Sequence, residues 1–131
     1  LNATGAGADR VEAACRARGL PLARTAPVPL AQLAGVLLAA DVHLITLADA
    51  FVGYVLPSKV HACIASGRPL LFIGSARSDV HRLCVAGMPP ARYRRVDVGD
   101  AAGVGVALVE LLACDAQPAA NHTPRNPEAT V

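Results

Sequence analysis

Residues 57–74, PSKVHACIASGRPLLFIG, contain a helix followed directly by a strand. Ser58 is a preferred residue for a helix start, and no helix breaker follows it until Gly67. Glycine at that point suits the left-handed position that ends many helices. Residues 69–73 are an apolar run followed by glycine, which makes them the most convincing strand of the chain. The stretch therefore predicts one repeat of an alternating α/β fold.

The same alternation continues on both sides of this unit. Upstream, the apolar spacing and turn residues predict a helix at 9–18, a short strand at 21–24, a helix at 30–38 and a strand at 42–47. Downstream, they predict a helix at 79–85, a strand at 93–98 and a helix at 101–113. The near-continuous apolar run at 42–47 favours a strand that is covered on both faces.

Alternation of this kind predicts a Rossmann-like, doubly wound parallel sheet in one α/β domain, residues 1–115. Residues 116–131 change to alanine, proline, asparagine and threonine, and we expect them to be a largely disordered tail. The chain opens with only the end of a strand, so we expect it to be truncated at its N-terminal side.

Composition excludes several classes of protein. The chain has 131 residues, is 53% hydrophobic and carries a net charge of only +2, which suits a packed core and argues against nucleic-acid binding. No apolar run reaches the ~18 residues of a membrane span. The four cysteines lack metal-ligand spacing and three of them lie among aliphatic residues, so we expect free thiols, no metal site and a cytoplasmic protein. These cysteines are Cys15, Cys63, Cys84 and Cys114.

Lys59 is the only lysine, although the chain has eleven arginines. It follows Ser58 at a loop-to-helix junction, where amide groups and an ammonium group together favour an anion. Gly53, in the preceding loop, lets a ligand approach the backbone. This combination suits a diphosphate, and the alternative is a capped helix with a solvated lysine.

Two other loops precede helices and contain residues that suit phosphate or sugar contacts. Gly5 and Gly7 form a glycine pair before the first helix, which could equally be a tight turn. Gly74 and Ser75 follow the most apolar strand, with Ser75 or Ser78 as a helix cap, so capping explains the serines equally well.

The remaining polar residues give weaker indications. No carboxylate or nucleophile motif accompanies His61, so we assign no catalytic residue, and His43 and His81 are expected to be structural. Strand alternation would place Arg92 and Arg94 on one face and Arg95 on the other, as a solvated sheet edge.

Three stretches resemble the C-terminal half of GT-B fold group-1 glycosyltransferases of exopolysaccharide and colanic-acid biosynthesis. They are residues 40–47 (ADVHLITL), 55–60 (VLPSKV) and 65–74 (ASGRPLLFIG). The likeness covers residues 5–113, and its middle third is the most specific part.

The resemblance implies a nucleotide-sugar donor site in this half. It implies that Pro57, Ser58 and Lys59 lie near the donor diphosphate, that Gly53 and Tyr54 lie near the transferred sugar, and that Gly74 lines the same cleft. The donor is a substrate, and neither a cofactor nor a metal is implied. Many relatives carry glutamates near Tyr54 and at the position of Ala62, and this chain has neither.

The family also implies an upstream acceptor-binding domain, which would carry any peripheral association with a membrane. The fragment alone is therefore expected to be inactive.

Two other interpretations stay open: a non-catalytic or degenerate nucleotide-sugar-binding domain, and a doubly wound interaction domain without a small ligand. Nucleotide-sugar epimerases, which share a two-lobed architecture, are a minor alternative.

Overall fold

The computed structural model describes residues 1–3 and 7–115, and the chain divides into two compact units at Val36. The expected ligand contact of Gly5 and the expected disorder of residues 116–131 lie outside the described residues. Each unit contains parallel strands linked through helices, so the predicted α/β class is confirmed.

The first unit contains a strand, a helix and a second strand. Strand β1 (Asn2–Ala3) pairs in parallel with β2 (Ala23–Arg24), and helix α1 (Ala8–Ala17) connects them. Arg24 donates to two carboxylates of α1, Asp9 at 2.6 Å and Glu12 at 2.9 Å. These exposed ion pairs tie the end of β2 to the first half of α1.

Helix α1 ends as the sequence predicts. Gly19 has φ +66°, and its N–H donates to the carbonyl of Arg16 at 3.2 Å. The N–H of Leu20 donates to the carbonyl of Cys15 at 2.9 Å, which completes a Schellman motif. A side chain at position 19 would be strained in this conformation, which explains why glycine ends the helix.

The second unit is built around a three-stranded parallel sheet in the order β3-β4-β5. The strands start in register at His43, Leu70 and Tyr93, and we call this border of the sheet the amino edge. They end in register at Thr46, Ile73 and Val96, and we call this border the carboxyl edge. Helix α2 (Leu30–Leu38) contains the boundary between the two units. The elements of the second unit are β3 (His43–Thr46), α3 (Lys59–Ala65), β4 (Leu70–Ile73), α4 (Asp79–Gly87), β5 (Tyr93–Val96) and α5 (Ala101–Asp115), with 3₁₀ turns at Asp49–Phe51 and Pro90–Arg92.

The central strand β4 is the core of this unit. Leu70, Leu71 and Phe72 are fully buried, because helices cover both faces of the strand. Leu70 and Phe72 pack against α3 and α4, whereas Leu71 packs against α5. Full burial of such a side chain stabilises a fold by about 1.5–3 kcal/mol, so this strand is the main apolar anchor of the unit.

The edge strand β3 differs from the prediction. His43 and Ile45 are buried, but Leu44 is 46% exposed and Thr46 is exposed too. Helix α5 packs on β4 and β5 and leaves this face of β3 open within the described residues. The expectation of a strand covered on both faces is therefore wrong for β3.

Helix α5 turns one side toward the sheet. Leu111 is buried, and Val104 and Leu108 are half-buried, but Leu112 is 49% exposed. Successive residues turn by about 100° along a helix, so Leu112 cannot share the inward side of Leu111. Ala107, one turn before Leu111, fills that side instead.

Gly74 ends β4 in a position that admits no side chain. A Cβ atom there would overlap the ring of Phe72 and lie 2.9 Å from the carbonyl oxygen of Leu47. The N–H of Gly74 also donates to the carbonyl of Val96 at 2.9 Å, which holds the chain close to β5. Packing of the core therefore explains this glycine without a ligand.

We expect Gly74→Ala to lower the free energy of unfolding by about 1–3 kcal/mol, because a backbone oxygen and a packed ring must move. Gly105→Ala, at an exposed position of α5, is the matched control, since nothing lies within 4 Å of its Cβ position. The control should raise stability by about 0.5–1 kcal/mol. Urea denaturation measures both, and a neutral Gly74→Ala would refute this packing.

Candidate functional site

The helix α3 runs in the opposite direction to the strands. Its C-terminal end is fixed beside the start of β3, because Nε2 of His43 lies 2.9 Å from Oγ of Ser66. Helix α3 has seven residues and therefore spans about 10 Å, close to the length of the four-residue strand. Lys59, the first residue of α3, consequently lies at the carboxyl edge of the sheet.

The loop between β3 and α3 is held in a compact turn. The N–H groups of Tyr54 and Val55 both donate to the carbonyl of Phe51, each at 3.1 Å. Gly53 lies inside this turn with φ +84°, a conformation that favours glycine, and nothing lies within 4 Å of its Cβ position. Tyr54 is 87% exposed, so the turn presents an aromatic ring to solvent.

Ser58 does not cap α3, contrary to the prediction. Its backbone is already helical (φ −57°, ψ −25°), and its side chain makes no capping hydrogen bond. The carbonyl of Pro57 instead accepts from the N–H of Val60 at 3.1 Å, which forms a first tight turn. The hydroxyl of Ser58 is therefore on the exposed surface next to Lys59.

Lys59 is exposed, and no ion pair joins it to a carboxylate of the described residues. The neighbouring residue Val60 is fully buried, and Cys63 one turn later is 5% exposed. These two side chains fix the first turn of the helix on the sheet. Burial raises the pKa of the Cys63 thiol, and the ammonium of Lys59 opposes that shift.

Ser75 and Ser78 bind backbone groups in the loop after β4. Oγ of Ser75 accepts from the N–H of Arg77 at 3.1 Å, and the carbonyl of Ser75 accepts from the N–H of Ser78 at 3.1 Å. Ser78 is fully buried and caps α4 by accepting from the N–H of His81 at 3.2 Å. The cap of α4 is thus Ser78, while Ser75 closes the turn before it.

Parallel strands bring two of the three predicted loops to one edge. The loops after β3 and β4 both follow carboxyl ends, so Gly53, Tyr54, Lys59 and Ser75 share this edge of the sheet. Gly7, from the third loop, belongs to the first unit and precedes α1. In the second unit, the edge predicted to bind a ligand is therefore assembled from two loops.

Arg95 contacts the loop after β4, which the sequence did not indicate. Its guanidinium donates to the carbonyl of Gly74 at 2.9 Å and to Asp97 at 2.5 Å. The hydrogen bond from Arg95 lowers the pKa of the Asp97 carboxyl. Arg95 pairs with Phe72 and lies on the face covered by α4, opposite to Arg94, as strand alternation predicted.

The arginine cluster is less solvated than expected. The strand begins at Tyr93, so Arg92 lies in the preceding 3₁₀ turn and not on the face of Arg94. Arg92 donates to the carbonyl of Gly67 at 2.6 Å, and Arg94 donates to Glu110 at 2.6 Å. These side chains hold the ends of neighbouring elements together. Strand β5 is an outer strand of the sheet among the described strands.

The surface grooves of the described residues include one in each unit. One belongs to the first unit, where Gly7, Arg10 and Leu20 contribute to its lining. Another follows β5 and α5 between Arg94, Asp100 and Glu110. Lys59 lines neither of these grooves.

The described residues contain no group of three or more potential metal ligands, and none of their helices is long and apolar enough to cross a membrane. All four cysteines are free thiols, and burial raises the pKa of Cys84 to about 11.

No protein-family model matches the chain, and neither a curated protein nor a solved structure matches it significantly.

The two serines at helix starts give a paired prediction. Ser78→Ala should lower the free energy of unfolding by about 1 kcal/mol, because it leaves an amide of α4 without its acceptor. Ser58→Ala should change it by less than about 0.5 kcal/mol, since no capping bond is lost. Urea denaturation of both variants decides this, and an equal loss would show that Ser58 does cap α3.

Proposed function

We propose that the chain is the donor-binding half of a GT-B glycosyltransferase, with a Rossmann-like, doubly wound domain. The enzyme would move a hexosyl group from a nucleoside diphosphate sugar to a saccharide or lipid-linked acceptor. The sequence likeness of residues 40–74 supports this proposal. The position of Lys59 carries it, because the only lysine of the chain is exposed at the carboxyl edge without a described counter-ion.

The chemistry proposed for Lys59 is electrostatic. A departing nucleoside diphosphate gains negative charge as the sugar leaves, and an ammonium group held beside it stabilises that charge. Helix α3 has only seven residues, so we assign the main contribution to the full charge of Lys59. The exposed hydroxyl of Ser58 can donate a hydrogen bond to the same phosphate oxygens.

The compact turn before α3 suits contact with the sugar. The positive φ of Gly53 and the open space around it leave the backbone accessible, and the ring of Tyr54 offers an apolar face beside polar groups. Ser75 would add a hydroxyl from the second loop, although it already accepts from Arg77. We assign no catalytic residue within this half.

A second candidate function is favoured by the residues at two positions. Glutamates that many members of the resembled family carry, near Tyr54 and at Ala62, are absent from this chain. A domain without these glutamates could bind a nucleotide sugar without transferring it.

A third candidate function is an interaction domain without a small ligand. It is favoured by the exposed apolar residues of the compact turn before α3, Phe51 and Tyr54.

Calorimetric titration of the full 131-residue chain with UDP-glucose, UDP-galactose and GDP-mannose separates these candidates. We expect at least one donor to bind, and Lys59→Ala to weaken that binding by about 10- to 100-fold, the range for losing one charge-assisted hydrogen bond. Lys59→Arg should recover part of the affinity, because it keeps the charge but not the compact shape.

Arg77→Ala is the matched control, since it removes an exposed cation from the neighbouring loop. An equal loss in both variants would reduce the role of Lys59 to general attraction of anions. No binding of any donor would favour the interaction domain. Binding of a donor without transfer, once the chain is joined to its upstream half, would favour the non-catalytic binder.

A further inference from the structure

Helix α5 is apolar on the side that faces solvent as well as on the side that packs on the sheet. Glu110 is the only charged residue between positions 101 and 114. Leu111 is fully buried, yet Val106 is 61% exposed and Val109 is 69% exposed. A surface helix of a globular protein normally carries polar residues on its outer side. The outer side of α5 therefore has the composition of a contact surface.

Four residues form a strip along this outer side. Successive residues turn by about 100°, so Val106 and Val109 point roughly away from the buried Leu111. One turn toward either end of the helix, Ala102 and Ala113 occupy the same direction, and both are exposed. We call Ala102, Val106, Val109 and Ala113 the outer strip. Their spacing of four, three and four residues is that of the apolar seam between two paired helices.

The outer strip reads the same in both directions, as alanine, valine, valine, alanine. Two copies of α5 laid antiparallel about a two-fold axis between Val106 and Val109 therefore match along the whole strip. Val106 of one copy meets Val109 of the other, and Ala102 meets Ala113. The alanines at both ends let the helices approach closely, because the distance between packed helices depends on the side chains at the contact.

Charges do not oppose this pairing. The outer strip has no charged residue, and Glu110 on its flank accepts from Arg94 of the same chain at 2.6 Å. The pairing would therefore bury apolar surface without burying an unpaired charge, which is the costly arrangement in an interface. Leu112, which is 49% exposed, widens the apolar surface on the other flank.

The stretch of chain that follows α5 is a poor alternative occupant of the strip. Between positions 116 and 131, Val131 is the only valine, and leucine, isoleucine, methionine and phenylalanine are absent. A segment of this composition offers too little apolar surface to cover two valines and a leucine. A second copy of α5, in contrast, brings a strip of matching shape and composition.

We propose that the outer strip is the interface of a symmetric dimer in which two copies of α5 pack antiparallel. Helix α5 has 15 residues and is about 22 Å long, so a contact one helix wide buries less than the ~800 Å² per partner of a standard interface. The dimer is therefore weak, with a dissociation constant on the order of 10–100 µM. This proposal is independent of donor binding, because α5 covers the face of the sheet opposite to α3.

Sedimentation equilibrium of the full chain tests this between about 5 and 500 µM. Reducing conditions keep the free thiol of Cys114 from forming a disulfide. We expect the average mass to rise with concentration from that of one chain toward twice that value. Val109→Lys should raise the dissociation constant by at least about tenfold, because each dimer would bury two unpaired charges. Val85→Lys is the matched control, since Val85 is 60% exposed on α4, and this variant should dimerise as the wild type does.

Mixing two variants tests the antiparallel register. Val106→Glu and Val109→Lys should each associate poorly alone, and a one-to-one mixture should recover the association. In the mixed dimer the introduced carboxylate meets the introduced ammonium group, and the two remaining valines meet each other. In a parallel pair each position would meet itself, so the mixture would gain no such contact.

A chain that stays monomeric up to about 500 µM overturns the proposal, and so does an equal loss of association in Val85→Lys. A mixture that associates no better than its two components overturns the antiparallel pairing. All three substituted positions are exposed, so urea denaturation of the dilute variants should give the midpoint of the wild type. Lost association in Val109→Lys with that midpoint unchanged supports the interface, because the chain is still folded.

Discussion

Burial of β4 on both faces is the constraint on which the rest of the second unit depends. Leu70, Leu71 and Phe72 lose all contact with solvent only because helices lie on both sides of the strand. Parallel neighbours make this possible, since each needs a crossing helix that returns the chain to the same edge. The two crossings through α3 and α4 share one face, and α5 covers the other.

This arrangement divides the polar residues between two edges of the sheet. The amino edge contains contacts within the protein, where His43, Ser66 and Arg92 join the end of α3 to its neighbours. The carboxyl edge contains the exposed Lys59 and the open turn at Gly53. Lys59 therefore makes the second of these edges a candidate for chemistry that needs an accessible cation.

The sequence predicted the parts that local chemistry decides. Gly19 and Gly67 end helices with positive φ, and the apolar run at 70–73 forms a strand, because these outcomes depend mainly on neighbouring residues. It failed where distant packing decides. Ser58 and Ser78 have the same capping chemistry, yet only Ser78 has the extended backbone that lets its hydroxyl reach an amide. The exposure of Leu44 depends on where α5 lies, and the contact of Arg95 with Gly74 depends on strand register.

Whether the carboxyl edge binds a nucleoside diphosphate is tested most directly by an NMR titration of the isotopically labelled chain with UDP and with GDP. Binding at Lys59 should shift backbone amide signals of residues 53–61 and 74–78, and leave those of residues 66–68 and 91–93 at the amino edge unchanged. Shifts confined to the amino edge, or none with either nucleotide, would contradict a phosphate site at the start of α3.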